Sequence, residues 1–218
     1  MPSRQRIRAL PAAYRPAVEE SAGFFLALEG VSGSGKSTLA KLLAEQWGCP
    51  QFHTAPGPLS SSQGFVNSEV EPLPHLMFYL MAAMHVSDRA RRAAVHGPVI
   101  ADRYIGSVVA SHAAVRRVPI TDTQAMVAPY LAYFLRPTVT VYLHTPASEI
   151  RKRLAEREAN GGPVRGVPST DHIDRVQAAF DLIAAGDPTA QHLNTEGSCP
   201  GNLADAVRRL LPLADLSR

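Results

Sequence analysis

Cysteine, long apolar runs and excess charge are all scarce in this chain of 218 residues. Its two cysteines, Cys49 and Cys199, lie far apart and form no C-x-x-C pair. That pattern argues against a disulfide scaffold or a thiolate metal site and leaves two reduced thiols, as in a cytoplasmic protein. No apolar run approaches the length that crosses a bilayer, so no membrane partner is expected. No secretory h-region is present. The eight histidines are scattered with no H-x-x-x-H pair, so they spell no metal cluster. A net charge of +3 is too weak to indicate DNA or RNA, though it suits small anions. Hydrophobic residues at 45% and charged residues at 19% leave an ordinary soluble balance, enough for one domain with a sizeable core.

The first 22 residues stand apart. They carry Arg4, Arg6, Arg8 and Arg15, with no acid before Glu19. A basic extension over 1–22, loosely ordered or packed late, is expected ahead of a domain over 23–218. A targeting peptide or a nucleic-acid arm is the alternative.

What is present is concentrated in residues 30–37, Gly30-Val31-Ser32-Gly33-Ser34-Gly35-Lys36-Ser37, a full G-x-x-x-x-G-K-S phosphate loop. It follows the apolar run Phe24-Phe25-Leu26-Ala27-Leu28 and precedes Thr38-Leu39-Ala40-Lys41-Leu42-Leu43. Strand, glycine turn and helix are therefore written in the required order. The glycines let several backbone N–H groups converge, and the helix adds its positive end. Gly30, Ser32, Gly33, Ser34, Gly35, Lys36, Ser37 and Thr38 are the nucleotide-binding candidates. Lys36 can reach the β- and γ-phosphates, and the Ser37 hydroxyl can ligate Mg²⁺.

Strands and helices alternate along the rest. Strands are expected over 24–28, 51–54, 98–101, 138–143 and 192–194. Helices are expected to about Trp47 and over 74–96, 104–117, 121–135, 147–158, 171–185 and 203–211. The Ser-, Pro- and Gly-rich stretch 55–68 reads as a loop, and 160–170 as a mobile one. Such alternation implies an α/β fold, a parallel sheet covered on both faces, with ligands beyond the strand C-termini.

Two more groups can serve phosphoryl transfer. Asp102 ends an apolar strand, where a carboxylate can hold a Mg²⁺ shell opposite Ser37 or cap the next helix. Arg103 follows it. Arg153 and Arg157 lie four apart, on one helix face, and Arg165 sits in the glycine-rich loop. Such cations can stabilise a migrating phosphoryl group, or they can belong to a solvated charged face. Glu29, just before the phosphate loop, can be a general base, a water-mediated metal ligand or a structural partner of an arginine.

Four blocks in order resemble the thymidylate kinases, within the nucleoside and nucleoside monophosphate kinases. They are Phe25–Gly30 through Lys36-Ser37-Thr38; His96–Tyr104 with Ser107; Val141-Tyr142-Leu143 leading to Arg153 and Arg157; and Arg175-Val176 with Phe180. The resemblance spans about 24–211. It implies a five-stranded parallel sheet flanked by helices, a small lid over about 159–170, ATP as donor, Mg²⁺, a nucleotide or nucleoside acceptor and a homodimer. Arg103 would contact the acceptor and the transferring phosphates. Arg153 and Arg157 would flank the donor phosphates, with Arg165 as the basic residue of the lid.

The chain departs from that pattern on the acceptor side. Ser32 stands where an Asp is usual. Thr54-Ala55-Pro56-Gly57-Pro58 replaces Arg-Glu-Pro-Gly-Gly. A phosphate-binding arginine falls near Ala82, Ala-Tyr-Gln becomes Ala110-Ser111-His112, and the acid ending the fourth strand is His144. A phosphate dianion without its arginine loses about 1.5–3 kcal/mol. An acceptor other than ordinary dTMP is therefore expected. The competing classes are a nucleotide-dependent regulatory ATPase or switch and a pseudokinase. No Asn-Lys-x-Asp guanine motif supports a GTPase.

Overall fold

The apolar run before the glycine loop forms the central strand of the sheet. A computed structural model describes residues 23–162 and 167–211. Strand β1 is Phe25–Gly30. It pairs in parallel with β3, Val99–Asp102, on one side and β4, Val139–His144, on the other. Strand β2, Gln51–His53, lies outside β3, and β5, Ala190–Asn194, lies outside β4. The five-stranded sheet is parallel throughout, in the order β2-β3-β1-β4-β5, as the resemblance implies.

Both faces are covered, so the inner strands read as continuous apolar runs. Alternation along β1 sends Phe25 and Ala27 to one face, Leu26 and Leu28 to the other. The first pair packs under α3, Pro72–Ala94, and α4, Ile105–Arg116. The second packs under α1, Lys36–Trp47, and the last helix, Pro200–Leu210. A third cluster joins α4 to the helices Ala147–Ala159 and Thr170–Ala185.

Two expectations change. Residues 55–68, read as a loop, lie mainly in the helix α2, Gly57–Glu69. Pro58 presets the first turn. The hydroxyls of Ser60, Ser61 and Ser68 donate to the carbonyls of Gly57, Pro58 and Gly64 at 2.6, 2.7 and 3.0 Å. The side chains that usually compete with a helix are thus absorbed into it. Val66 alone is buried there, so no apolar period marks it. The helix expected over 121–135 divides into α5, Ile120–Val127, and a 3₁₀ segment, Ala128–Tyr133, opened by Pro129. The helix 147–159, hereafter α6, and the helix 170–185, α7, frame the expected lid. The extension 1–22 and lid residues 163–166 lie outside the described residues.

Candidate active site at the phosphate loop

The loop between β1 and α1 closes on itself. Gly30 has φ +142°, and a Cβ there would lie 2.7 Å from the Leu143 carbonyl oxygen, so no side chain fits. Lys36 is buried, and its ammonium donates to the Val31 carbonyl at 2.6 Å and the Ser34 hydroxyl at 3.2 Å. Burial pushes its pKa well below the ordinary lysine value, helped by Arg103 nearby; Asp102 and Glu29 pull the other way. Ser32, Ser37 and Thr38 are exposed on the loop and first turn.

Arg103 reaches this loop from β3. Its Nη2 donates to the Ser32 hydroxyl at 2.8 Å, and Nη1 lies 3.5 Å from the Ser107 hydroxyl. The backbone of Arg103 has φ +71°, a left-handed conformation costing a non-glycine residue about 1 kcal/mol or more. It is held on both sides: its N–H donates to Leu28 at 3.0 Å, and its carbonyl accepts from Thr54 Oγ1 at 2.8 Å. This turn is what swings the guanidinium back over the phosphate loop.

Asp102, 5% exposed, ends β3 with its Oδ1 buried and without a hydrogen-bond partner among the described residues. It lines a cleft of about 170 Å³ with Ser37, Gln51, Phe52 and His53. An orphaned carboxylate oxygen and a hydroxyl in one cleft suit a hard cation that keeps waters and takes phosphate oxygens. Ser37 and Asp102 are therefore the residues that fit Mg²⁺. Among the described residues no group of three His, Cys, Asp or Glu forms a protein-only metal site.

Glu29 has its carboxylate filled. Oε1 accepts from the backbone N–H of Tyr104 at 3.1 Å and of Ser107 at 3.0 Å, and Oε2 from the Ser107 hydroxyl. The acid at the end of β1 thus caps the N-terminus of α4. A Cβ on Gly106 would lie 2.9 Å from Oε1, which keeps that position small. Burial raises the Glu29 pKa, against the lowering effect of the Ser107 bonds and of Arg103.

The arginines of α6 stand opposite. Arg153 Nε donates to Glu149 at 2.9 Å, and Nη2 to the Thr195 carbonyl at 2.9 Å. Its Nη1 comes within 3.9 Å of where a Cβ on Gly35 would stand, so it lies against the phosphate loop. Arg157 is exposed but close enough to lower the Lys36 pKa. Arg165 lies outside the described residues. The structure thus gathers Lys36, Arg103, Arg153 and Arg157 around one loop.

Three residues at the site were not read from the sequence. Thr195 and Glu149 position Arg153, and His53 stands beside Asp102 in register across β2 and β3. The His53 pKa is lowered by burial, with Asp102 opposing that shift. Only the strand-end placement of His53 could have signalled it.

No family model matches the chain. The thymidylate kinase of Clavibacter sepedonicus is 30% identical over 179 residues, covering 76% of this chain and 83% of that one. The chain belongs to the thymidylate kinase family. Another thymidylate kinase, from Cutibacterium acnes, is 28% identical over 204 residues, with 86% and 95% covered. In fold, this thymidylate kinase family member is similar to the thymidylate kinase of Candida albicans, with a TM-score of 0.71 at 16% identity over 91% of this chain and 95% of that chain. It is also similar to the deoxyadenosine kinase of M. mycoides, with a TM-score of 0.66 at 14% identity over 86% and 98%. Within this family the departures now have places. Ala82 is fully buried in α3, His112 is buried in α4, and His144 is exposed at the end of β4.

Proposed function

We propose that this protein is an ATP-dependent small-molecule kinase that transfers the γ-phosphoryl group to a nucleotide or nucleoside other than ordinary dTMP. The observation that carries the reading is Lys36, buried in the phosphate loop and within electrostatic reach of Arg103 and Arg157. Phosphoryl transfer asks the protein mainly for positioning and positive charge. Lys36 would leave the Val31 and Ser34 oxygens for the β- and γ-phosphates. Arg153 and Arg157 would hold the donor side, and Arg103 would bridge the migrating group and the acceptor. Mg²⁺, held by Ser37 and Asp102, would neutralise the phosphate oxygens. Glu29 would act through the α4 terminus that presents Arg103 and Ser107. Arg165 completes the proposed lid.

Thr54 and Ala82 support the exclusion of dTMP, since neither supplies the arginine usual at its position, and Ser32 and Ala55 lack the acids usual on the acceptor side. No helix among the described residues is long and apolar enough to cross a membrane. A cytoplasmic homodimer without nucleic-acid partners completes the reading. ADP formation measured across nucleosides and nucleotides tests it. Acceptor-dependent turnover marks a kinase, slow hydrolysis alone a switch, and neither a pseudokinase. Efficient turnover of dTMP far above all other acceptors would refute the specificity.

A further inference from the structure

The cations of this chain are unevenly placed. No lysine or arginine occurs between Lys41 and Arg89 in a sequence with 22 of them. That stretch forms the end of α1, β2, α2 and most of α3. It is the flank of the cleft on the β2 side of the sheet, whereas the α6 arginines follow β4 on the other side of β1. In-line transfer places the attacking group opposite the departing ADP. With Arg153 against Gly35, the donor lies toward α6, and the acceptor must come in along β3, β2 and the helices behind them.

What that flank offers is neutral or acidic. His53 lines the cleft, and its Nδ1 accepts from the Ala55 N–H at 3.3 Å, which leaves Nε2 as the protonated nitrogen of the neutral ring. Behind it, Asn67 of α2 accepts from Tyr79 at 2.9 Å and meets His75 Nε2 at 3.1 Å, and His112 of α4 packs 6.0 Å from His75. Two arginines border this flank, each tied to it at one point. Arg116 Nη2 donates to the Val70 carbonyl at 3.0 Å, and the Arg89 guanidinium lies 4.6 Å from the Phe52 ring centroid. The charged groups of the α2–α3 junction are acids, Glu69 and Glu71. Arg103 lies against the phosphate loop through Ser32, on the β3 side, and on the kinase reading its charge serves the migrating phosphoryl group.

We propose that the acceptor is uncharged where it meets this flank: a nucleoside, phosphorylated on a hydroxyl, rather than a nucleoside monophosphate. A phosphate dianion here would lose its water without gaining cations. A neutral hydroxyl compound meets donors and acceptors of its own kind. The hydroxyl oxygen forms the new phosphorus–oxygen bond while the bond to ADP breaks. Its proton passes to an oxygen of the transferred group and, with a second pKa near about 6, on to water.

This inference rests on the kinase reading, and one experiment separates the two. ADP formation is measured with a panel of nucleosides and their 5′-monophosphates, alongside calorimetric binding of each to the protein saturated with a non-hydrolysable ATP analogue. The expected result is a kcat/KM about 100-fold or more higher for the best nucleoside than for its monophosphate. Its binding should change less than about twofold between 50 and 300 mM salt. Preference for a monophosphate overturns the inference and leaves the kinase reading intact. Binding of the ATP analogue without turnover of any acceptor overturns both.

Discussion

The two flanks of the cleft are built by different means. On the α6 side, Arg153 is clamped by Glu149 and Thr195 beside Gly35, and charge is dense. On the β2 side, the stretch from 42 to 88 has no lysine or arginine, and its charged groups are the acids Glu45, Glu69, Glu71 and Asp88. A family can therefore keep one half of a reaction fixed while the other half changes. On the proposed reading, the half assigned to the donor keeps the spacing of its motif, and the half assigned to the acceptor is rebuilt without cations.

The largest expected effect breaks the donor side outright. Lys36→Ala should lower kcat by about 10³-fold or more with the fold retained by circular dichroism, because it removes the cation nearest the transferred group. Undiminished turnover would refute the role of Lys36. Arg103→Ala comes next, with an expected loss of about 10²-fold in kcat. Alanine keeps the left-handed strain of that position, so the melting temperature should change little.

Glu29→Ala tests the join between the flanks. It leaves the Tyr104 and Ser107 N–H groups buried without partners, at a cost of about 2–4 kcal/mol. For a chain of this size the melting temperature should fall by roughly 5 °C or more. If Glu29 acted only as a catalytic base, kcat would drop and the melting temperature would stay.

The smallest effect sharpens the neutral flank. Burial lowers the His75 pKa to about 4, and the His112 pKa is also lowered. The unfolded chain takes up protons near pH 6.5, while the folded one resists until about 4. Stability should therefore fall as pH drops through that window, by roughly 3 °C in melting temperature between pH 7 and 5. His75→Gln should flatten the slope while leaving the KM for ATP unchanged. A matching rise in that KM would contradict the division into two flanks.

The donor half was legible because its chemistry is local. Gly30 to Ser37 supply backbone, ammonium and hydroxyl within one loop, and the strand and helix around it follow from adjacent residues. The parallel sheet followed from the alternation of strands and helices, and its five strands from the family resemblance. Helix α2 was hidden because its serines bond inward, which composition does not reveal. Glu29 was ambiguous because its partners, Tyr104 and Ser107, lie 75 and 78 residues away. The positive φ of Arg103 left no mark on a position that is not glycine.

That long reach of Glu29 also orders assembly in time. The phosphate loop is written near the start of the described chain, yet β1 pairs with β3 and β4, both later in the sequence. Its terminal acid waits for α4. Contacts so distant in sequence form late, after costly loop closure. A nascent chain ending before residue 107 would hold every residue of the nucleotide motif and still lack the cap that closes it. Competence to bind nucleotide should then come late in folding, so recovery of binding during refolding should trail recovery of helix content.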